Sequence, residues 1–188
     1  MEHTSAAVAV DRLYNDIFWF DQLGCGSPRA IFWLGLPGND SADLYRRLDA
    51  IALKKAYAVE TGTALAKFSH MNERLASAQA SKGTRFSNRL SVLEAQLDPA
   101  LLDNTQGAGM LYNITVSDVS QIGPLLNRHT QTITHLGLSE QELSALVDVM
   151  ACHGGYRLVP IGEALSFSDI WDGVDLLSHM VRQITVKI

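Results

Sequence analysis

The chain has 188 residues, 47% hydrophobic and 19% charged, enough to bury one substantial core without disulfides or metal. A net charge of −5 at pH 7, with no dense run of Lys and Arg, excludes a general attraction for phosphate backbones, so nucleic acid is not an expected partner. No apolar run approaches the length of a membrane span, and the opening MEHTSAAVAVDRLYND lacks the basic, apolar and cleavage segments of a secretory signal. We expect a cytoplasmic protein whose two cysteines, Cys25 and Cys152, are reduced; they lie far apart and outside any CxxC pattern, which suggests neither a disulfide nor a zinc site.

Residues 29–35, RAIFWLG, are apolar and partly β-branched or aromatic and predict a strand, broken by Pro37, Gly38 and Asn39. Ser41 predicts the cap of a helix running to about Val59, with Leu44, Leu48, Ile51, Ala52 and Ala56 at helical spacing. This apolar stripe reads as core, or as the lining of an acyl tunnel. A second helix is expected over 64–80, then a polar passage, SKGTRFSN, and a short helix over 89–96 before Pro99. GMLYNITV predicts a strand, SDVSQIGPLLN a capped helix carrying Pro124, and TQTITHLGL another strand. A helix opened by Ser139 and closed by Gly154 comes next, then the strand YRLVPIG. Trp171, Asp172 and Gly173 predict a structural turn, with the indole packed and Asp172 capping a helix over GVDLLSHM. The final RQITVKI alternates Ile184, Val186 and Ile188 with polar residues and predicts an edge strand. Such alternation predicts one α/β domain over residues 1–188, a three-layer sandwich with a mostly parallel sheet flanked by helices.

Cys25 stands between Gly24 and Gly26 and is followed by Ser27 and Pro28, a composition that favours a tight turn just before the first strand. A lone cysteine is commonly inert and buried. A thiol on a glycine-flanked turn over a rigid strand can also be a nucleophile, with backbone N–H groups able to stabilise an oxyanion. Cys152 shares a helix with Leu143, Leu146, Val147 and Met150 and is expected to pack in or just under the core. His153 reads as a helix C-terminal residue, which leaves no convincing base for a cysteine hydrolase.

DIFWFDQLGCGSPRAIFWLG, residues 16–35, resembles the segment around the catalytic cysteine of LuxC-type long-chain acyl-CoA reductases, in which a phenylalanine and a glutamine precede a Cys-small-Ser-Pro core. More distantly it is similar to the Gln-Gly-Gln-x-Cys region of the aldehyde dehydrogenase superfamily. LLNRHTQTITHLGLS resembles the reductases' Asn-Arg…Gln-Thr segment, and GGYRLVPIGEALSFSDIWDGVDLL their Arg-x-x-Pro-x-Gly…Trp-Asp-Gly ending. The three segments occur in family order from residue 16 to residue 177.

The resemblance implies a bacterial enzyme that reduces a fatty acyl-CoA, or another acyl thioester, to the aldehyde with NADPH. Cys25 would attack the thioester and hold the acyl group as an enzyme thioester, hydride addition would give a thiohemiacetal, and its collapse would release the aldehyde. The Cys25 backbone N–H would serve as an oxyanion donor. Gln106 stands where the superfamily has a glutamate that holds the nicotinamide ribose; an ordinary polar turn is its other reading. No metal is implied. Only 24 residues precede Cys25 and no GxGxxG occurs, so the expectation is a thioester-forming catalytic domain without its cofactor-binding half, a gene fragment or one piece of a split enzyme. The implied partners are the acyl thioester, that missing half, acyl-transfer enzymes and a second copy of the chain through the C-terminal strand. The alternative is a non-catalytic relative that keeps the fold as an interaction or oligomerisation domain.

Overall fold

The computed structural model describes residues 6–35, 40–171, 173–182 and 184–187. A helix not anticipated from the sequence, α1 (Ala6–Phe18), precedes the Cys25 segment and the strand β1 (Ala30–Leu34). Two helices follow, α2 (Asp40–Lys54) and α3 (Thr61–Ala76), then β2 (Ala80–Arg85), β3 (Ser91–Ala95) and β4 (Met110–Val116). These four strands form one sheet in the order β1-β4-β3-β2. β1 and β3 both run parallel to β4, and β2 is antiparallel to β3.

Alternation along the strands divides the interior into two cores. Leu111 of β4 and Val92 of β3 face α1 and α2, packing on Val10, Ile17, Tyr45 and Leu48. Met110, Tyr112, Ile114 and Val116 face the other way, onto Met71 of α3 and onto Leu146 and Met150 of a later helix. Because β4 is covered on both faces, its sequence is almost continuously apolar. The arrangement is the expected three-layer α/β sandwich with a mostly parallel sheet.

Two short 3₁₀ segments, Pro99–Leu102 and Val119–Leu125, flank β4. The second carries Pro124 and is capped by Asp118, but it is 3₁₀ and not α-helical, since proline withholds an N–H from any longer ladder. β5 (Thr132–His135) and β6 (Arg157–Pro160) form a separate parallel pair joined by α4 (Glu140–His153). The ends of α4 follow the sequence. Ser139 Oγ accepts from Glu142 N–H at 3.3 Å while the Glu142 carboxylate accepts from Ser139 N–H at 2.6 Å, a reciprocal cap, and Gly154 ends the helix at φ 141°.

Other expectations are corrected. Residues 91–95 are strand, not helix, and the polar passage 81–88 supplies most of β2. A turn in which the Phe86 and Ser87 N–H groups donate to Leu90 O joins the two strands, and the ladder to β4 overrides a short helical pattern. β2 lies at one edge of the sheet with half of its residues exposed, which suits its polar sequence, whereas β1 at the other edge is mostly half-buried and apolar. α2 stops at Lys54 instead of reaching Val59, where Ala56 turns left-handed at φ 56°. Cys152 is exposed: Leu146 and Met150 mark the inward row of α4, and a residue two positions past Met150 points roughly 200° around the helix. A two-stranded ribbon of β7 (Ile170–Trp171) and β8 (Val174–Asp175) leads to α5 (Leu176–Met180), which Asp175 caps through Ser178 N–H at 3.1 Å. Trp171 packs as expected, stacked on Phe167 at 5.4 Å with the Arg157 guanidinium over its ring at 5.1 Å. Within the C-terminal segment, residues 182 and 184–187 join no strand among the described residues, and Ile184 and Val186 are exposed. Pro37, Gly38, Asn39, Asp172, Gln183 and Ile188 lie outside the described residues. Among the described residues no helix is long and apolar enough to cross a membrane.

Candidate active site around Cys25

The segment between α1 and β1 folds back as a tight turn in which Ser27 N–H donates to Gly24 O at 3.0 Å. Cys25 is exposed at its tip, while Gly26 and Ser27 are buried beneath it. Among the described residues none accepts from the backbone N–H of Gly24, Cys25 or Gly26, three successive donors beside the thiol. Trp19, Phe20 and Leu23, in the stretch of chain leading to the turn, have exposed side chains.

The floor is built from distant sequence. A Cβ on Gly26 would lie 2.6 Å from Ala164 O and 3.5 Å from Thr132 Oγ1, and one on Gly24 would lie 3.1 Å from Leu165. Only glycine lets the turn sit this close. The 162–166 loop is held from two sides. Asp16 of α1, 1% exposed, accepts from Gly162 N–H at 2.6 Å and Ala164 N–H at 3.1 Å. Arg157 donates to the carbonyls of Ala164 (3.1 Å), Glu163 (3.3 Å) and Ser166 (2.9 Å). The three sequence segments therefore converge: the cysteine turn, Thr132 beside Gln131, and the loop governed by Arg157, Pro160 and Gly162.

On its other side the turn is fastened to the start of β4. Asp21 and Gln22 are both left-handed, at φ 52° and 60°, a conformation that costs about 1–2 kcal/mol for each L-residue with a side chain. Asp21 O accepts from Ala108 N–H at 2.8 Å. The Gln22 carboxamide, 0% exposed, donates to Pro28 O (2.7 Å) and Met110 O (3.0 Å) and accepts from Gly109 N–H (2.8 Å) and Met110 N–H (3.0 Å). Lys67 steadies the same segment, its ammonium donating to the carbonyls of Asn88 (3.1 Å), Arg89 (3.1 Å) and Ala108 (2.6 Å); burial pulls its pKa down to about 8. Gln106 immediately precedes this fastening and is half-buried, with no side-chain hydrogen bond among the described residues. Gly107, next to it, would place a Cβ 2.9 Å from Asp21 O. Gln106 and the cysteine segment are thus neighbours through their backbones.

No described side chain bonds the Cys25 thiol. His153 donates from Nδ1 to Val149 O at 3.1 Å and packs over Gly123, as its helix-end reading anticipated. Among the described residues no group of three or more His, Cys, Asp or Glu could hold a metal. A cavity of about 570 Å³ between α2 and the sheet, lined by Tyr45, Glu94 and Asn113, includes neither Cys25 nor Gln106.

A family model described as acyl-CoA reductase (LuxC) matches residues 2–183. The chain belongs to the acyl-CoA reductase (LuxC) family. No curated protein matches it by sequence. The reductase match spans all three segments that meet at the turn. In the fold the first of them carries the thiol, and the second and third support it from below. Sequence reasoning singled out Cys25 but gave no role to Asp16, Gln22 or Arg157. A lone acid between Leu13 and Ile17 on the buried face of α1 was the available signal for Asp16.

Asp16 also gives this LuxC-family chain a testable pH dependence. Burial raises its pKa above 3.8, with the Gly162 and Ala164 bonds opposing and Glu163 reinforcing the shift. A carboxyl whose native pKa is raised favours the fold most below its unfolded pKa, and that contribution is lost as pH rises through the native value. Asp16→Asn removes the titration and leaves one of the two loop N–H groups facing an amide, costing about 2 kcal/mol. In urea unfolding, the stability difference between the parent and Asp16→Asn should shrink as pH rises from about 4; a difference that grows with pH contradicts the assignment.

Proposed function

We propose that this chain performs the acyl-accepting step of a fatty acyl-CoA reductase, with Cys25 as the nucleophile. The observation that carries the reading is the thiol's place: exposed at the tip of a turn whose N–H donors no described residue pairs, over a floor built from the other two family segments. The Cys25 thiolate forms a bond to the thioester carbonyl carbon, and the resulting oxyanion is met by the Cys25 backbone N–H. The carbon–sulfur bond to CoA then breaks. CoA leaves as a thiol, taking up a proton equivalent to the one Cys25 gave up, and the acyl group stays as a thioester of Cys25. Trp19, Phe20 and Leu23 give the fatty chain an apolar surface to leave water.

NADPH, when bound, supplies the hydride that takes the acyl group to the aldehyde. Gln106 fits the ribose end of that cofactor: its carboxamide makes no hydrogen bond among the described residues and belongs to the segment fastened beside the cysteine turn. The described residues offer no glycine-rich phosphate cradle. Calorimetry should therefore show no tight NADPH binding to this chain; tight binding with defined stoichiometry contradicts that view.

Acyl transfer is tested by separating free CoA after mixing the chain with a long-chain acyl-CoA. About one CoA should be released per chain in a single burst, the signature of a covalent intermediate. Cys25→Ala should abolish the burst and Cys152→Ala should leave it. Exposed Met180, Val181, Ile184 and Val186 near the C-terminus favour a second reading, a non-catalytic interaction domain, which predicts no burst from the parent chain.

A further inference from the structure

We propose that Gln22 is the positioning residue of this site, acting through the backbone on both sides of Cys25; its chemical consequence rests on the acyl-transfer reading above. A buried carboxamide is costly unless each polar atom is paired, and Gln22 uses both donors and accepts twice. Its partners belong to only two places. Pro28 O closes the cysteine turn, and Gly109 N–H, Met110 N–H and Met110 O open β4 just after Gln106. Filling the space would need only an apolar side chain, and the strain of the left-handed backbone at φ 60° is carried beside four satisfied carboxamide bonds. What the four bonds add is a fixed relation between the turn that carries the thiol and the segment that carries Gln106. Gln22 touches neither the thiol nor the thioester in this arrangement, so its effect is on where Cys25 stands.

Three measurements on the full chain test this. Gln22→Met keeps the side-chain length and removes all four bonds. Acyl transfer from a long-chain acyl-CoA to Cys25 should slow by about 100-fold, the scale of a displacement of about 1 Å at a reacting atom. Alkylation of Cys25 by iodoacetamide, which needs no aligned oxyanion donor, should change less than about threefold, with Cys152 as the reference in the same molecule. Ser27 N–H bonds Gly24 O within the turn and does not touch Gln22, so its hydrogen exchange reports the turn itself. That exchange should quicken at least about tenfold while the α4 amides stay protected. Should Gln22→Met not fold, Gln22→Glu serves: it keeps the acceptors and recovers one donor when protonated, and burial raises its pKa. Its acyl-transfer rate relative to the parent at the same pH should rise as pH falls. Parent-like acylation in Gln22→Met, or acylation and alkylation falling together with the folded fraction, overturns the proposal, as does a flat relative pH profile in Gln22→Glu. If the parent chain is itself not acylated, the acyl-transfer reading fails separately, and the fastening is decided by Ser27 exchange: unchanged protection overturns it and local loss upholds it.

Discussion

Gly26→Ala should cut acyl transfer to Cys25 by about 100-fold, the effect of moving a reacting group by about 1 Å, with far-UV signal largely retained. The added Cβ would lie 2.6 Å from Ala164 O, closer than a carbon can approach an oxygen. Ala164 cannot yield easily, because Asp16 holds its N–H at 3.1 Å and Arg157 its carbonyl at 3.1 Å. The turn must therefore rise off its floor and carry the adjacent thiol with it. Overpacking of this kind costs about 1–3 kcal/mol, which an α/β domain of this size tolerates. A single-turnover time course for parent and variant reads the effect, and a rate within twofold of the parent contradicts the close fit of the turn.

Gly109→Ala should have the largest effect on stability. Gly109 is left-handed at φ 77°, and a Cβ there would overlap the Arg89 carbonyl oxygen and lie 2.7 Å from Phe18. The Arg89 carbonyl is fixed by Lys67 at 3.1 Å and Phe18 is buried, so neither obstacle moves freely. Backbone strain of about 1–2 kcal/mol adds to overpacking of about 1–3 kcal/mol. Together, at about 2–4 °C per kcal/mol for a domain of this length, they lower the melting temperature by roughly 10 °C. Gly35→Ala supplies the comparison: Gly35 is left-handed at φ 81° with nothing within 4 Å of its Cβ position. It should carry the strain alone and lose no more than about 2 kcal/mol. Equal losses at the two positions contradict the crowding at Gly109.

The sandwich could be read in the sequence where elements announce themselves locally. β1 and β4 are short apolar runs because both pack against helices, and α4 carries its Ser139 cap and Gly154 stop in the chain itself. The β2–β3 hairpin could not be read in this way. β2 is polar and half exposed at its edge of the sheet, and Ser91–Ala95 is too short for periodicity to separate helix from strand, so only the ladder with β4 decides it. The site divides along the same line. Glycine-flanked Cys25 before a strand is a local pattern. The bonds that hold it come from Asp16, Gln22 and Arg157, whose partners lie 146, 88 and 7 residues away. Acids, amides and arginines have no local signature for such work, and the Arg-x-x-Pro-x-Gly motif shows its purpose only when Arg157 is seen gathering the carbonyls of the loop under the turn.

The central claim is that Cys25 takes the acyl group, and mass spectrometry of the intact chain after incubation with a long-chain acyl-CoA, followed by peptide mapping, tests it most directly. The account predicts a single acyl addition, confined to the peptide that contains Cys25, absent from Cys25→Ala and present in Cys152→Ala. An acyl group on Cys152, an addition that survives Cys25→Ala, or a folded chain that gains no acyl mass contradicts it.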